Sequence, residues 1–296
     1  MRVGEVAVVG RPNAGKSTLV NALVGEKVAI VSDKPQTTRG RILGVARRPG
    51  LEAALIDTPG IHRPQYKLNA AMVRDATDAL ASADLVLLVV DAAEAPGPGL
   101  AFILERIAAA GTPAVCALNK IDLLPKERLL PMLDALSKRH DFRAIVPVSA
   151  KTGDGVERIA EVLAANLPEG ESGYPEDFLT ATPETEWIAE VIREKLLERT
   201  RDELPFAHAV VIESVRPAEG KEDLTVVRAS IVVEREGQKG IVVGKGGSMI
   251  RDIGKAAREE LETELGRRLY LELTVRVEPD WRNDEAFLSR LRSREG

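Results

Sequence analysis

The chain has 296 residues, 44% of them hydrophobic and 29% charged, and its 41 Lys and Arg face 46 Asp and Glu for a net charge of −5. That length exceeds what one hydrophobic core usually serves, so two domains are expected; neither half is basic, which excludes bulk attraction to nucleic acid or an anionic membrane and leaves only local patches for such contacts. The lone Cys116 excludes an intramolecular disulfide framework and a Cys-rich metal site, and no leader or membrane-length apolar run is found, so a soluble cytoplasmic protein is expected.

The apolar run Val6–Val9 leads into Gly10-Arg11-Pro12-Asn13-Ala14-Gly15-Lys16-Ser17 and then Thr18-Leu19-Val20-Asn21-Ala22-Leu23, which reads as strand, glycine loop, helix. Such a loop turns backbone N–H groups toward a phosphate, the helix start adds its positive dipole end, and Lys16 reaches the terminal phosphates. Ser17 offers a hydroxyl to magnesium. Next comes Ser32–Gly40, polar and broken by Pro35 and Gly40, a segment able to close over a phosphate. Its threonines, Thr37 and Thr38, are both candidates for a magnesium ligand, and Thr38 is the choice made here.

Strand Ala53–Ile56 ends in Asp57-Thr58-Pro59-Gly60, which delivers a carboxylate for magnesium and a bare glycine backbone for a terminal phosphate. Further short apolar runs, Leu85–Val90, Ala114–Leu118 and Ile145–Val148, alternate with helical stretches such as Leu100–Ala110 and Glu127–Arg139. That alternation predicts an α/β domain with a mostly parallel sheet and helices on both faces, its ligand beyond the carboxyl ends of the strands. After Ala114–Leu118 stands Asn119-Lys120-Ile121-Asp122, where the base is chosen. A carboxylate only accepts, so Asp122 pairs with guanine's adjacent N–H donors, for which adenine has no match. The Lys120 stem lies along the base, and Asn119 ties the base to the phosphate loop. Ser149-Ala150-Lys151, closing Ile145–Val148, offers a backbone N–H to the guanine carbonyl.

The breaker-rich stretch Leu167–Pro183 is the expected linker region, with residues 1–170 forming the nucleotide domain, 171–183 the connection and 184–296 a second, α+β domain. There, Trp187–Leu197 shows helical spacing. Its polar face mixes both charge signs, which favours a helix packed on a core over one lying on a membrane. Strands Ala209–Ile212 and Leu224–Val233 follow, then Gly240–Ile250 with Gly244-Lys245-Gly246-Gly247, a helix Arg251–Leu265, a strand Leu269–Val277 and an amphipathic tail from Trp281 whose role stays open.

The ordered set GRPNAGKST, QTTR, DTPG, NKID and SAK resembles the translation-factor-class GTPases, and with the second half the chain resembles the Era family over nearly its full length. The second half resembles a type II KH domain, with Gly244–Gly247 as the GxxG loop that clamps single-stranded RNA, Lys245 and Arg251 adding charge and Ile241, Val242 and Ile250 lining an apolar groove. The resemblance implies a slow GTPase that binds GTP and GDP with Mg2+ and recognises the 3′ end of 16S rRNA. It further implies action in 16S rRNA processing and 30S subunit biogenesis, with peripheral membrane contact; a monomer is expected. Catalysis is assigned to Lys16, Thr38, Gly60 and Asn13, and the metal to Ser17, Thr38 and Asp57. Ile61, grouped with the GTP-binding residues, stands where Ras-like GTPases carry a water-orienting glutamine, so hydrolysis needs another aid. Potassium held with the help of Asn13 is one. Two rival readings are an RNA chaperone for which GTP is only a ligand, and a membrane-tethered GTPase whose KH-like half binds protein.

Overall fold

The computed structural model describes residues 1–34, 37–60, 66–94, 97–200 and 207–293. It forms two compact units: residues up to Ala181 make the first, apart from short segments at Ser32 and Tyr66 that group with the second, and Thr182 onward makes the second.

In the first unit β1 (Arg2–Gly10) lies inside a six-stranded sheet of order β2-β3-β1-β4-β5-β6, with β2 (Ile42–Arg48), β3 (Leu51–Asp57), β4 (Leu85–Asp91), β5 (Ala114–Asn119) and β6 (Ala144–Pro147). All pairings are parallel except β2 with β3. Alternate residues of one strand feed opposite cores, as the two-residue period of a strand requires. Val6 and Val8 pack with α1 (Lys16–Val24) and α5 (Val156–Asn166), while Ala7 and Val9 pack with α2 (Lys67–Ser82), α3 (Pro98–Ala110) and α4 (Leu129–Ser137). The loop after β1 therefore leads to one face and the loops after its neighbours β3 and β4 to the other. That divergence opens a crevice at the carboxyl end of β1.

The expected strands and helices are present, each shifted by a few residues at its ends. Three elements escaped the sequence reading. Strand β2 follows the polar segment and is masked by its Arg47-Arg48 end, and helices α2 and α5 add to the expected set, α5 burying Val156, Ile159, Ala160 and Leu163 at helical spacing. Cys116 is fully buried on β5, and burial pushes its thiol up to about 12.

The breaker-rich stretch runs along the free edge of β2. Val45 N–H donates to Leu179 O at 2.8 Å, and Gly44 and Thr180 form a bridge. At Gly44 and Val45 the edge strand is thus paired within its own chain. This packing groups the stretch with the first unit as far as Ala181.

The second unit opens with α6 (Glu184–Arg199) and a three-stranded sheet β7-β8-β9, in which β7 (His208–Ala218) is antiparallel to β8 (Lys221–Val233) and β9 (Arg268–Val277) is parallel to β8. Between β8 and β9 come α7 (Glu236–Val243), a 3-10 turn at Lys245–Gly247 and α8 (Ser248–Leu265); α9 (Glu285–Ser293) closes the chain. Helix α8 buries Ile253, Ala257 and Leu261, one stripe at four-residue spacing. Helix α6 departs from a plain amphipathic pattern, because Arg193, Glu194 and Lys195 are buried as well as its apolar stripe. Lys195 is held by Glu194 at 2.9 Å and Glu260 at 2.5 Å. Burial pulls the ammonium down, but the hydrogen bonds and charges of these acids outweigh it and hold it charged.

Candidate functional site

The loop Gly10–Gly15 is built on backbone conformations that side chains disfavour. Asn13 has φ 63° and Gly15 φ 90°, both left-handed. A Cβ on Gly10 would meet Val89 O at 2.4 Å, and one on Gly60 would meet Pro12 N at 2.7 Å, so these glycines let three strand ends converge. Helix α1 starts at Lys16 with Gly15 as N-cap, and no side chain caps its first turn. N–H groups of such an uncapped first turn are donors suited to an anion.

Lys16 is buried, its Nζ donating to Arg11 O at 3.2 Å. Burial lowers its ammonium from the ordinary value, with the Asp57 charge acting against that. Asp57, fully buried at the end of β3, shows the mirror effect: burial raises its carboxyl, opposed by the Lys16 charge, by hydrogen bonds from Ser17 and Thr38 and by the Thr58 backbone N–H. Ser17 Oγ donates to Asp57 Oδ2 at 2.6 Å and lies 2.9 Å from Thr38 Oγ1, which donates to the same Oδ2 at 3.2 Å. Among the described residues, Asp57 Oδ1 is buried without a hydrogen-bond partner. Two hydroxyls and one carboxylate oxygen orphaned from water form a hard oxygen set of the kind Mg2+ takes. Of the two candidate threonines the structure places Thr38 in this cluster. Thr58 donates from N and Oγ1 to Val8 O, fastening the Thr58-Pro59-Gly60 turn beside β1, and all three residues are buried. Ile61 lies outside the described residues.

The Asn119–Asp122 loop is joined to the Gly10–Gly15 loop through Asn119. Its Nδ2 donates to Ala14 O at 2.9 Å and its Oδ1 accepts Ala150 N–H at 3.0 Å, so one buried amide ties β5, the phosphate loop and the Ser149–Lys151 turn together. Ser149 Oγ donates to Asp122 Oδ1 at 2.6 Å and accepts Thr152 N–H at 3.2 Å. The Asp122 side chain is exposed and Oδ1 is thereby oriented. Lys120, with φ 65°, pairs with Asp91, a residue the sequence reading missed because β4 and β5 are neighbours only in the folded sheet. Thr18, Pro12 and Arg11 are half-buried around the loop and Lys151 is exposed; Arg11 pairs with Glu94 at 2.8 Å.

In the second unit Gly244, Gly246 and Gly247 all have positive φ. Gly244 is obligatory, since a Cβ would stand 2.7 Å from Met249 Cβ; around Gly246 and Gly247 a Cβ would meet open space, so their backbone is accessible. Lys245 and Arg251 are exposed, Ile241 is 54% exposed and Ile250 is half-buried. Val242 corrects the expectation that it lines the groove: it is fully buried in the core with Ile253 and Leu269, and supports α7 from beneath.

A family model described as "50S ribosome-binding GTPase" matches residues 5–120, and one described as "KH domain" matches residues 203–282. The chain is 47% identical over 290 residues to the GTPase Era of Geobacter metallireducens, spanning 98% of this chain and 97% of that one. It is 47% identical over 292 residues to the GTPase Era of Mycobacterium bovis, spanning 97% of each. Among solved structures it superposes on an Aquifex aeolicus Era variant bound to GDP and aluminium fluoride with TM-score 0.94 at 41% identity, covering 98% of both chains. An Era in complex with MgGDPNP and nucleotides 1506–1542 of 16S ribosomal RNA gives TM-score 0.95, also at 41% identity and 98% coverage of both.

Proposed function

The chain belongs to the Era family of GTPases, and from that premise we propose that it is a GTP-driven switch that binds single-stranded RNA at the 3′ end of 16S rRNA and acts in maturation of the 30S subunit. Nucleotide chemistry is assigned to residues 1–170, RNA binding to 184–296, and residues 171–183 connect them. The observation that carries the reading is the buried, unpartnered Asp57 Oδ1 next to Ser17, Thr38 and Lys16. Ser17, Thr38 and Asp57 would hold Mg2+, which when bound supplies positive charge against the β- and γ-phosphates. Lys16 and the loop's backbone N–H groups stabilise charge on the transferring phosphoryl group, and they do so without reorganising because the loop is already shaped. Thr38 closes the polar segment over a third phosphate and is released when that phosphate leaves. Asn13, held left-handed at the loop tip, contributes to a potassium site. In the second unit, the exposed glycine backbone with Lys245 and Arg251 receives RNA phosphates, with Ile241 and Ile250 against the bases. The chain works as a cytoplasmic monomer with peripheral membrane contact; no helix among the described residues is long and apolar enough to cross a membrane.

Ile61 favours a second reading, an RNA chaperone in which GTP is a ligand hardly hydrolysed, because isoleucine cannot orient water. GTP turnover in potassium buffer, with and without a short RNA copying the 16S 3′ end, separates the two. Acceleration by RNA supports the switch; bound RNA with negligible turnover supports the chaperone. Equal rates in sodium and potassium would remove the potassium site.

A further inference from the structure

The turn after β4 carries a carboxylate that the proposed function does not use. Asp91 ends β4 and lies opposite Asn119 of β5 in the sheet register. It is 8% exposed, and both of its oxygens are engaged: Oδ1 accepts Ala93 N–H at 2.8 Å, and Oδ2 stands 2.6 Å from Lys120 Nζ. Ala92 N–H donates to Asn119 O at 2.8 Å, so the turn bearing the acid is bonded to the strand end that bears the lysine. The acid is thus held by its own turn, and the lysine is pinned at its far end.

We propose that Asp91 is a positioning residue for nucleotide binding: by fixing the Lys120 ammonium it holds the four-carbon stem extended along the place of the guanine ring. A free lysine samples many rotamers and loses that freedom when a ligand orders it. Here the loss is taken at folding, and the base meets an apolar wall already in place. The inference rests on the reading of Asn119–Asp122 as the guanine loop. It adds that the neighbouring strand β4 supplies part of base binding.

Asp91→Asn tests it, because the amide oxygen retains the Ala93 bond while the charge that holds Lys120 is lost. The affinities for GTP and GDP are expected to fall by the same factor, about tenfold, as suits one charge-assisted contact. Inosine triphosphate should lose as much as GTP, since the stem meets the ring face and not the 2-amino edge. At saturating GTP the turnover number stays at the parental value while KM rises. In a Lys120→Ala background the Asp91→Asn change should cost nothing further. Parental affinity in Asp91→Asn, or losses that multiply in the double variant, would overturn the proposal. If the parent itself binds no GTP, the guanine-loop reading fails, an outcome distinct from both.

Discussion

Gly15 shows how a single hydrogen-for-methyl exchange reaches two loops. Its φ is +90°, and an added Cβ would stand 2.3 Å from Asn119 Nδ2, the amide that donates to Ala14 O. Alanine there must strain the backbone and push Asn119 off the phosphate loop. Gly15→Ala is expected to weaken GTP at least about 100-fold and to destabilise the fold by about 1–3 kcal/mol; calorimetric affinity and a denaturant midpoint measure both, and an unchanged affinity would show that the Asn119 tie is dispensable. The same crowding explains the opposite displacements of Lys16 and Asp57: both are pushed toward their neutral forms by burial, and each is pulled back by the other.

At the scale of elements, the edge of β2 is closed by a clasp of two side chains. Glu52, 1% exposed on β3, accepts from Ser172 Oγ at 2.7 Å, Gly173 N–H at 2.8 Å and Arg47 Nε at 3.2 Å. Arg47 in turn donates to Phe178 O at 2.6 Å and Pro175 O at 2.8 Å, and Tyr174 stacks on Phe178. Burial would push the Glu52 carboxyl up, but these donors and the Arg47 charge together hold it below its ordinary value. Glu52→Gln leaves the donors with a neutral partner of reduced accepting capacity, and is expected to cost about 2–4 kcal/mol with faster amide exchange across Ser172–Phe178. Unchanged exchange there would refute the clasp. Helix α6 offers a pH test. Burial lifts the Glu186 carboxyl from its ordinary 4.5 to about 7, helped by Glu190 and opposed by Arg193. Between those values the folded chain keeps a proton that the unfolded chain has released, so stability falls as pH rises through this window. Glu186→Gln should therefore be more stable than the parent at about pH 8, by about 1 kcal/mol after discounting for partial exposure, and equal to it at about pH 4. Parallel stability curves for parent and variant would exclude this titration.

Over the whole molecule, the two chemistries sit in separate cores, and they can be separated by mutation. Gly246 has φ +61° with open space around its missing Cβ, a conformation aspartate tolerates better than most residues. Changing Lys245 and Gly246 to Asp therefore puts two negative charges on the accessible loop without breaking the fold. RNA affinity is expected to fall at least about 100-fold, with a shallower salt dependence, while GTP affinity is unchanged. Retained RNA binding in a filter or polarisation assay would refute the glycine-loop assignment.

The nucleotide site was readable in the chain because its parts are short and local: a glycine loop between a strand and a helix, and carboxylates placed at the ends of apolar runs, carry their geometry in consecutive residues. The tandem of nucleotide and GxxG loops was readable for the same reason. What tertiary structure decided are pairings between residues far apart in the chain. Whether Thr37 or Thr38 meets Ser17 and Asp57, whether Val242 or Ile241 faces outward, that Asp91 holds Lys120, and that a Pro- and Gly-rich stretch lies on an edge strand all depend on sheet order and register. Local spacing specifies which residues share a face, but burial and charge pairing come from the neighbour that the fold brings to that face, and no stretch of sequence contains its neighbour.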